Sequence, residues 1–311
     1  MGTKKKQIPA IWILLGVLVL LLAVYFGMKI MNKKQEQKAS EQAEAETVYI
    51  TDISEVKKIR YDIGNGEMAF EKQDDVWVYT ADNDFPLLQS YPEGLADTFG
   101  KLKAERELKD GDALSEYGFD EPSYTVILTD SDGNDTELYF GNSVGDNYYV
   151  TVGDTGEVYT ASSSVIGEIT ESLSEIAQYD DYPNIGSGNL KKEVITQNGT
   201  TTTYDSENED DTENISAVAG GLGAVTLDTA ADYSVEDEDL EIYGLDEDSR
   251  IVVEATYTQN GEEETLIMYI GCEDGEGNRY VMINESKIVY LISDAVCGNI
   301  LNEEAETEAE E

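Results

Sequence analysis

Histidine is missing from all 311 residues. With it go the usual acid–base group near neutral pH, the commonest zinc and haem ligand, and every His-containing triad. Only two cysteines occur, Cys272 and Cys297. They are too few for a four-thiolate zinc or iron–sulfur site, while one disulfide and two separate buried thiols both stay open. Basic residues are scarce as well: 20 Lys+Arg face 66 Asp+Glu, for a net charge of −46. Seven of those bases and one acid lie in the first 38 residues, so residues 39–311 hold 13 bases and 65 acids, a net of −52. Between Lys109 and Arg250 the basic residues are Lys191 and Lys192. Such a surface repels phosphate backbones and anionic headgroups, which argues against any nucleic acid partner and leaves cations, basic proteins and neutral ligands.

The chain is nonetheless built to fold. It has 20 Tyr, 6 Phe and 2 Trp, and many Val/Ile/Leu runs at strand spacing, enough to bury a core. Near its start, Ile8 to Met28 are 21 residues without a charge, about 30 Å of helix and enough to cross the hydrocarbon of a bilayer. Trp12 and Tyr25 sit near its two ends, where interfacial aromatics belong. The run is too long for a cleaved signal peptide and has no small-x-small site. Residues 8–31 therefore read as an uncleaved transmembrane anchor, with 1–7 a cytoplasmic stub, 32–47 a polar spacer and the acidic body outside the cell membrane. The tail, 302–311, reads as acidic and disordered.

Between spacer and tail the chain says nearly the same thing twice. "LSEYGFDE" (114–121) recurs as "LEIYGLDE" (240–247), and "YVTVGDTGEVYTASSSVIGEI" (149–169) aligns without a gap to "YVMINESKIVYLISDAVCGNI" (280–300). "ELYFG" (137–141) answers "LIMYIG" (266–271), and Asn65-Gly66 answers Asn198-Gly199. Offsets of 126 to 133 residues are too long for a solenoid and point to tandem duplication. The expected units are 48–180 and 181–301. Each is α+β: a hairpin, a helix, an antiparallel strand meander and a closing helix. The first hairpin turns at Asn-Gly in both, and the first unit adds a strand at "VWVYT" (76–80). The helices are expected at 94–108 and 214–227, with closing helices starting at Ser162 and Ser293. In the repeated octamer, Gly118 and Gly244 fit the left-handed position that ends a helix. Leu114 with Phe119, and Leu240 with Leu245, would supply the hydrophobic contact of such a cap.

Candidate chemistry is weaker. "TDSDGNDTE" (129–137) has the look of a calcium loop, but its glycine falls at the wrong position and a hairpin turn explains it better. "DSENEDDTEN" (205–214) reads as a solvated loop. "GNSVGDN" (141–147) joins two strands and has no lysine, so it is not a phosphate loop, and "SSSV" (162–165) is not a nucleophile elbow. Tyr139, Tyr148, Tyr149 and Tyr159 could stack on sugars, although strand spacing favours packing within the sheet. Catalytic, cofactor-binding and metal-binding residues are therefore assigned as none, and no cofactor is implied.

The anchor, "DALSEYGFDEPSYTVILTD" (112–130), "LYFGNSVGDNYYVTVGDTGEVYTASSSV" (138–165) and "DYPNIGSGNLKK" (181–192) together resemble the bacterial domain of unknown function 4340 (DUF4340) family over about residues 48–300. The resemblance implies a membrane-tethered, envelope-facing protein. It also implies association with ABC-type transport systems of the gliding-auxiliary kind and no catalytic residues. The expected role is a non-catalytic binding or accessory module with a protein partner in the envelope. A cation-responsive surface or adhesion module, and a polysaccharide hydrolase using two carboxylates, are the alternatives.

Overall fold

In a computed structural model of the chain, the described residues are Lys29, 47–64, 66–109, 113–170 and 172–303. The stub, the anchor apart from Lys29, the spacer apart from Thr47, and 304–311 of the tail lie outside them. Among the described residues no helix is long and apolar enough to cross a membrane.

Alternating apolar residues and β-branched content set the strands. The first eight are β1 (Val56–Asp62), β2 (Glu67–Gln73), β3 (Val76–Tyr79), β4 (Arg106–Leu108), β5 (Tyr124–Asp130), β6 (Asp135–Val144), β7 (Asn147–Val152) and β8 (Val158–Ser162). They hydrogen-bond in the order β3-β2-β1-β5-β6-β7-β8-β4. The next seven are β9 (Leu190–Gln197), β10 (Thr200–Asp205), β11 (Ala230–Asp232), β12 (Ile251–Gln259), β13 (Glu262–Glu273), β14 (Asn278–Ile283) and β15 (Val289–Ser293). Their order is β10-β9-β12-β13-β14-β15-β11. Both sheets are antiparallel. Strand for strand the second order repeats the first, and among the described residues β3 alone has no counterpart. The duplication read from sequence is thus a duplication of topology, and the class is α+β with two similar sheets.

Among the described residues four α-helices accompany the sheets: α1 (Ser90–Gly100), α2 (Leu173–Ile176), α3 (Thr212–Leu222) and α4 (Asp294–Ile300). By packing, the described residues fall into two compact units, those up to Ile53 with Lys101–Pro122 and Leu138–Ser163, and Ser54–Gly100 with Ser123–Glu137 and those from Ser164 on. In the first unit, Ile50 N donates to Leu102 O (2.7 Å), Leu102 N donates to Thr51 Oγ1 (2.8 Å) and β4 pairs with β8. In the second, α1 lies over β1 and β5 and buries Leu95 and Phe99. The face of the second sheet carrying Ile195, Val253, Ala255, Met268 and Val281 forms one core with Ile215, Val218 and Leu222 of α3 and Ile300 of α4.

Several expectations move. The helix expected at 94–108 begins earlier, at Ser90, and stops at Gly100 after 11 residues. Beyond it the main chain of Leu102 is taken by Ile50 and Thr51, and Arg106–Leu108 is strand β4; tertiary hydrogen bonds outweigh local periodicity. The closing element after Ser162 is a 3-10 turn, Ser163–Glu168. After Ser293 it is the α-helix expected, with Ser293 Oγ accepting from Val296 N (3.3 Å). The hairpin at 198–199 has Asn198 and Gly199 both at positive φ, the two-residue turn expected. The first hairpin closes at Asp62↔Glu67, a longer loop; its Asn65 lies outside the described residues. Asn302 and Glu303 do not belong to a loose tail. Asn302 Nδ2 donates to Tyr204 Oη and Asn214 Oδ1 (3.0 Å each), and Glu303 N donates to Gly298 O. Cys272 is exposed and Cys297 buried, and they are not joined.

The repeated octamer forms the same joint in both places. It ends a 3-10 turn, Leu114–Tyr117 or Asp237–Tyr243, with Gly118 (φ 84) and Gly244 (φ 63) left-handed. In the second copy Leu245 N donates to Leu240 O and Gly244 N to Glu241 O, the paired bonds of a Schellman cap. There Leu240 also packs on the cluster of Val235, Leu245 and Val289. In the first copy Leu114 is 44% exposed, so the expected Leu114–Phe119 contact is not what seals it. Two other features do, and they recur. The carbonyl of Tyr117 rests on Gly141, and that of Tyr243 on Gly271, so closely that a Cβ on either glycine would come within 2.1 Å of the oxygen. The Tyr117 ring meets Tyr149 edge-on at 4.8 Å, and Tyr243 meets Tyr280 at 5.0 Å.

Gly141→Ala and Gly271→Ala are therefore expected to destabilise by about 2–4 kcal/mol or to prevent folding, because backbone must retreat from backbone. Gly118→Ala adds a Cβ 2.6 Å from Asn142 Oδ1 on top of its φ, and should cost about 1–3 kcal/mol. Gly167, which has nothing within 4 Å and no positive φ, should accept alanine without loss. Urea denaturation of the four variants measures this order.

Candidate functional site

Carboxylates outnumber every other reactive group, so the question is which of them the fold leaves available. Asp130 is not. Its Oδ1 accepts from Asp132 N (2.9 Å) and Asn134 N (2.8 Å), its Oδ2 accepts from Asn134 Nδ2 (3.0 Å), and its own N–H donates to Asn134 O. These donors hold its carboxyl below the usual range, the Asn134 side chain most. The calcium-like segment is thus a hairpin turn between β5 and β6, with the carboxylate turned towards N–H groups. Asp274 repeats the pattern with Glu276 and Asn278 between β13 and β14, and its carboxyl too is lowered, by Asn278 first. In 205–214, Asp211 Oδ2 accepts from Asp205 N and Asn208 Nδ2 (3.0 Å each) just before α3 begins. That segment is a built helix entrance.

Asp180, in the connection before β9, accepts from the hydroxyls of Tyr290 (2.7 Å) and Ser286, while Asp180 N donates to Tyr290 Oη (3.0 Å). Burial raises the Tyr290 phenol. Tyr290 ends a row of rings within the second compact unit: Phe70, Tyr79, Phe85, Tyr233, Tyr179 and Tyr290, with neighbouring centroids 5.0–6.3 Å apart. Ser234 Oγ donates to Asp82 beside it. Of the tyrosines weighed for stacking on sugars, Tyr149 is engaged by Tyr117 and Tyr159 is buried, with its hydroxyl on Glu157 (2.8 Å). Tyr139 and Tyr148 are half-buried in β6 and β7.

One carboxyl stands apart. Glu193 in β9 has no exposed surface, and neither oxygen has a hydrogen-bond partner. It points into the core of the second sheet, opposite Tyr204 on β10 and Ala255 on β12. Tyr182, whose hydroxyl donates to Leu222 O (3.0 Å), is close enough for its phenol to be raised by Glu193, after its own burial. Burial pushes the Glu193 carboxyl up to about 8, so it is a neutral acid at pH 7. Sequence reasoning missed it for a local reason: Lys191 is an extra residue in the β9–β12 ladder, where Lys192 faces Thr256 but Leu190 faces Tyr257. Counting alternation from Leu190 turns Glu193 outward; the bulge turns it in.

Beside Glu193, on the same face of β9 and β10, lies a cavity of about 300 Å³ lined by Ile195, Gln197, Thr200, Thr202, Tyr204 and Leu301. Among the described residues no group of three or more Cys, Asp or Glu is placed to hold a metal ion.

The pH dependence of stability follows. Glu193 is raised in the folded state, so its contribution is fully present below the unfolded value near 4.5 and is lost as pH rises through about 8. Asp130 and Asp274 are lowered, so their contributions are present above the unfolded carboxylate range and lost as pH falls. Between pH 5 and 8, Glu193→Gln should remove a downward slope approaching ~1.4 kcal/mol per pH unit in the unfolding free energy. Urea denaturation at several pH values reads it; equal slopes for both proteins would place Glu193 in contact with water.

The match to known families falls across both sheets. Residues 77–212, from Trp77 in β3 to the start of α3, match the family model described as a domain of unknown function (DUF4340). No curated protein and no solved structure matches the chain. The match overlaps the joint, the β5–β8 meander and the 181–192 connection that carried the resemblance in sequence, and over residues 77–212 the chain is similar to the DUF4340 family.

Proposed function

We propose that the chain is a non-catalytic binding module, tethered to a membrane through residues 8–31 with its acidic body outside the cytoplasm, and that it serves as an accessory to an ABC-type transport system. The observation that carries this reading is where the reactive groups lie. Asp130, Asp180, Asp211 and Asp274 are bonded to the fold's own N–H and O–H groups. Glu193, the carboxyl raised to about 8, is sealed from solvent. A carboxylate-pair hydrolase needs its raised acid within reach of a sugar oxygen, and Glu193 offers no such access. What faces outward is a dense array of exposed acids, suited to holding a neutral or basic partner. The transporter association rests on the family resemblance, and the topology on the lysines flanking residues 8–31.

Mild detergent extraction of the tagged full chain from its own membranes is expected to co-recover an ABC transporter subunit; repeated recovery of the chain alone overturns that part. External protease added to intact cells should remove the acidic body. A body protected until the membrane is opened would reverse the orientation.

A further inference from the structure

The two sheets differ at one edge. In the first, the β1–β2 hairpin is flanked by β3, which pairs Phe70 with Tyr79 and Lys72 with Trp77. In the second, the equivalent hairpin ends at β10, and among the described residues β10 has β9 as its one neighbour. The cavity lies on the side where β3 would put its rings. Ile59 sits between Leu128 and Phe70 in the first sheet; Ile195 sits between Val253 and Thr202 in the second. Where the first copy has Phe70 under Tyr79, with Trp77 buried, the second has a threonine and about 300 Å³ of space.

β10 also lacks the usual guards of an exposed edge. Thr200 to Thr203 are four exposed, β-branched, uncharged residues, with no lysine, proline or bulge. The two-residue turn at Asn198-Gly199 bonds residues 200, 202 and 204 to β9, so the main-chain groups of Thr201 and Thr203 point away from the sheet. Asp205, next in that series, already uses its outward N–H on Asp211. The surroundings are acidic: Asp205 ends the strand, Glu207, Glu209 and Asp210 follow it, and Glu303 lines the cavity. The adjacent bases are Lys191 and Lys192 on β9, and Arg279, whose guanidinium lies 3.7 Å from Glu303 Oε2.

We infer that the open edge of β10 is a docking site for an extended, lysine- or arginine-bearing segment of another protein, which adds to the second sheet as an eighth strand and seats an aromatic side chain in the cavity. The occupant takes the place that β3 fills in the first sheet: main-chain bonds to Thr201 and Thr203 supply attachment, the ring supplies selectivity, and the flanking acids choose a basic partner. This deepens the binding-module reading and rests on it for the existence of a partner.

The probe is a fluorescent peptide that copies β3 and adds basic ends, Lys-Lys-Val-Trp-Val-Tyr-Thr-Lys-Lys, titrated against the full chain in mild detergent at low salt. Saturable binding below ~1 mM is expected, weakened at least ~10-fold when Glu replaces the lysines or Ala the aromatics. Thr203→Pro removes an outward N–H at an edge position that tolerates proline, and should weaken binding at least ~10-fold while the melting temperature holds within a few degrees. If that variant fails to fold, Thr202→Phe, which fills the cavity as Phe70 does, should produce the same loss. No saturable binding, or binding indifferent to both substitutions, overturns the inference. So does binding that appears only after 304–311 are removed, which would give the edge to the chain's own tail, or a dimer abolished by Thr203→Pro, which would give it to a second copy. If the peptide fails while a transporter subunit still co-purifies, this edge is wrong and the binding-module reading stands.

Discussion

A tyrosine carbonyl resting on a strand glycine is the contact on which each sheet depends. Tyr117 O on Gly141 and Tyr243 O on Gly271 admit no side-chain carbon between them. The left-handed glycine that follows turns the chain into the meander, and an edge-on tyrosine pair closes the side of the joint. Backbone against backbone at this separation is a geometric requirement that packing elsewhere cannot relax. It explains why the repeated octamer keeps Tyr-Gly at its centre while the residues around it drift. It also explains why a second glycine recurs some two dozen residues later in each copy.

Around these joints the chain must hold together against its own charge. A body of net −52 repels itself, and the fold answers partly by giving carboxylates to main-chain N–H groups. Asp130 and Asp274 use one loop pattern at two non-equivalent hairpins, so the pattern follows from local chemistry and is not inherited with the duplication. Glu193 takes the other course and enters the core as a neutral acid. These two treatments respond to pH with opposite sign, which makes the acidity of the surroundings a variable the fold registers in its interior.

Much of the architecture was legible because it depends on periodicity and on repetition. The meander strands, the extra strand of the first copy, the Asn198-Gly199 turn and the left-handed role of Gly118 and Gly244 all follow from residues close in sequence. What was not legible depends on partners far away. The α1 helix ends at Gly100 because Leu102 is claimed by Ile50 and Thr51. Glu193 faces inward because a bulge at Lys191 shifts the phase of β9. The glycines of "ELYFG" and "LIMYIG" could be matched by eye, but their reason, a carbonyl arriving from another segment, is visible only in three dimensions. The cavity beside β10 is an absence relative to the first copy, and no single residue announces it.

The central claim is that one joint serves two copies of one module, and exchanging the joints tests it most directly. Replacing residues 114–119 by the sequence of 240–245 preserves the tyrosine, the left-handed glycine and their spacing. The account predicts a chain that folds with an unfolding free energy, read by urea denaturation, lowered by no more than the ~1–1.5 kcal/mol due to the smaller leucine in place of Phe119. Exchanging only the positions of Tyr117 and Gly118 should unfold the same region. An exchange of whole joints as damaging as that inversion would contradict the account, because the two octamers would then be alike in letters and different in what they hold.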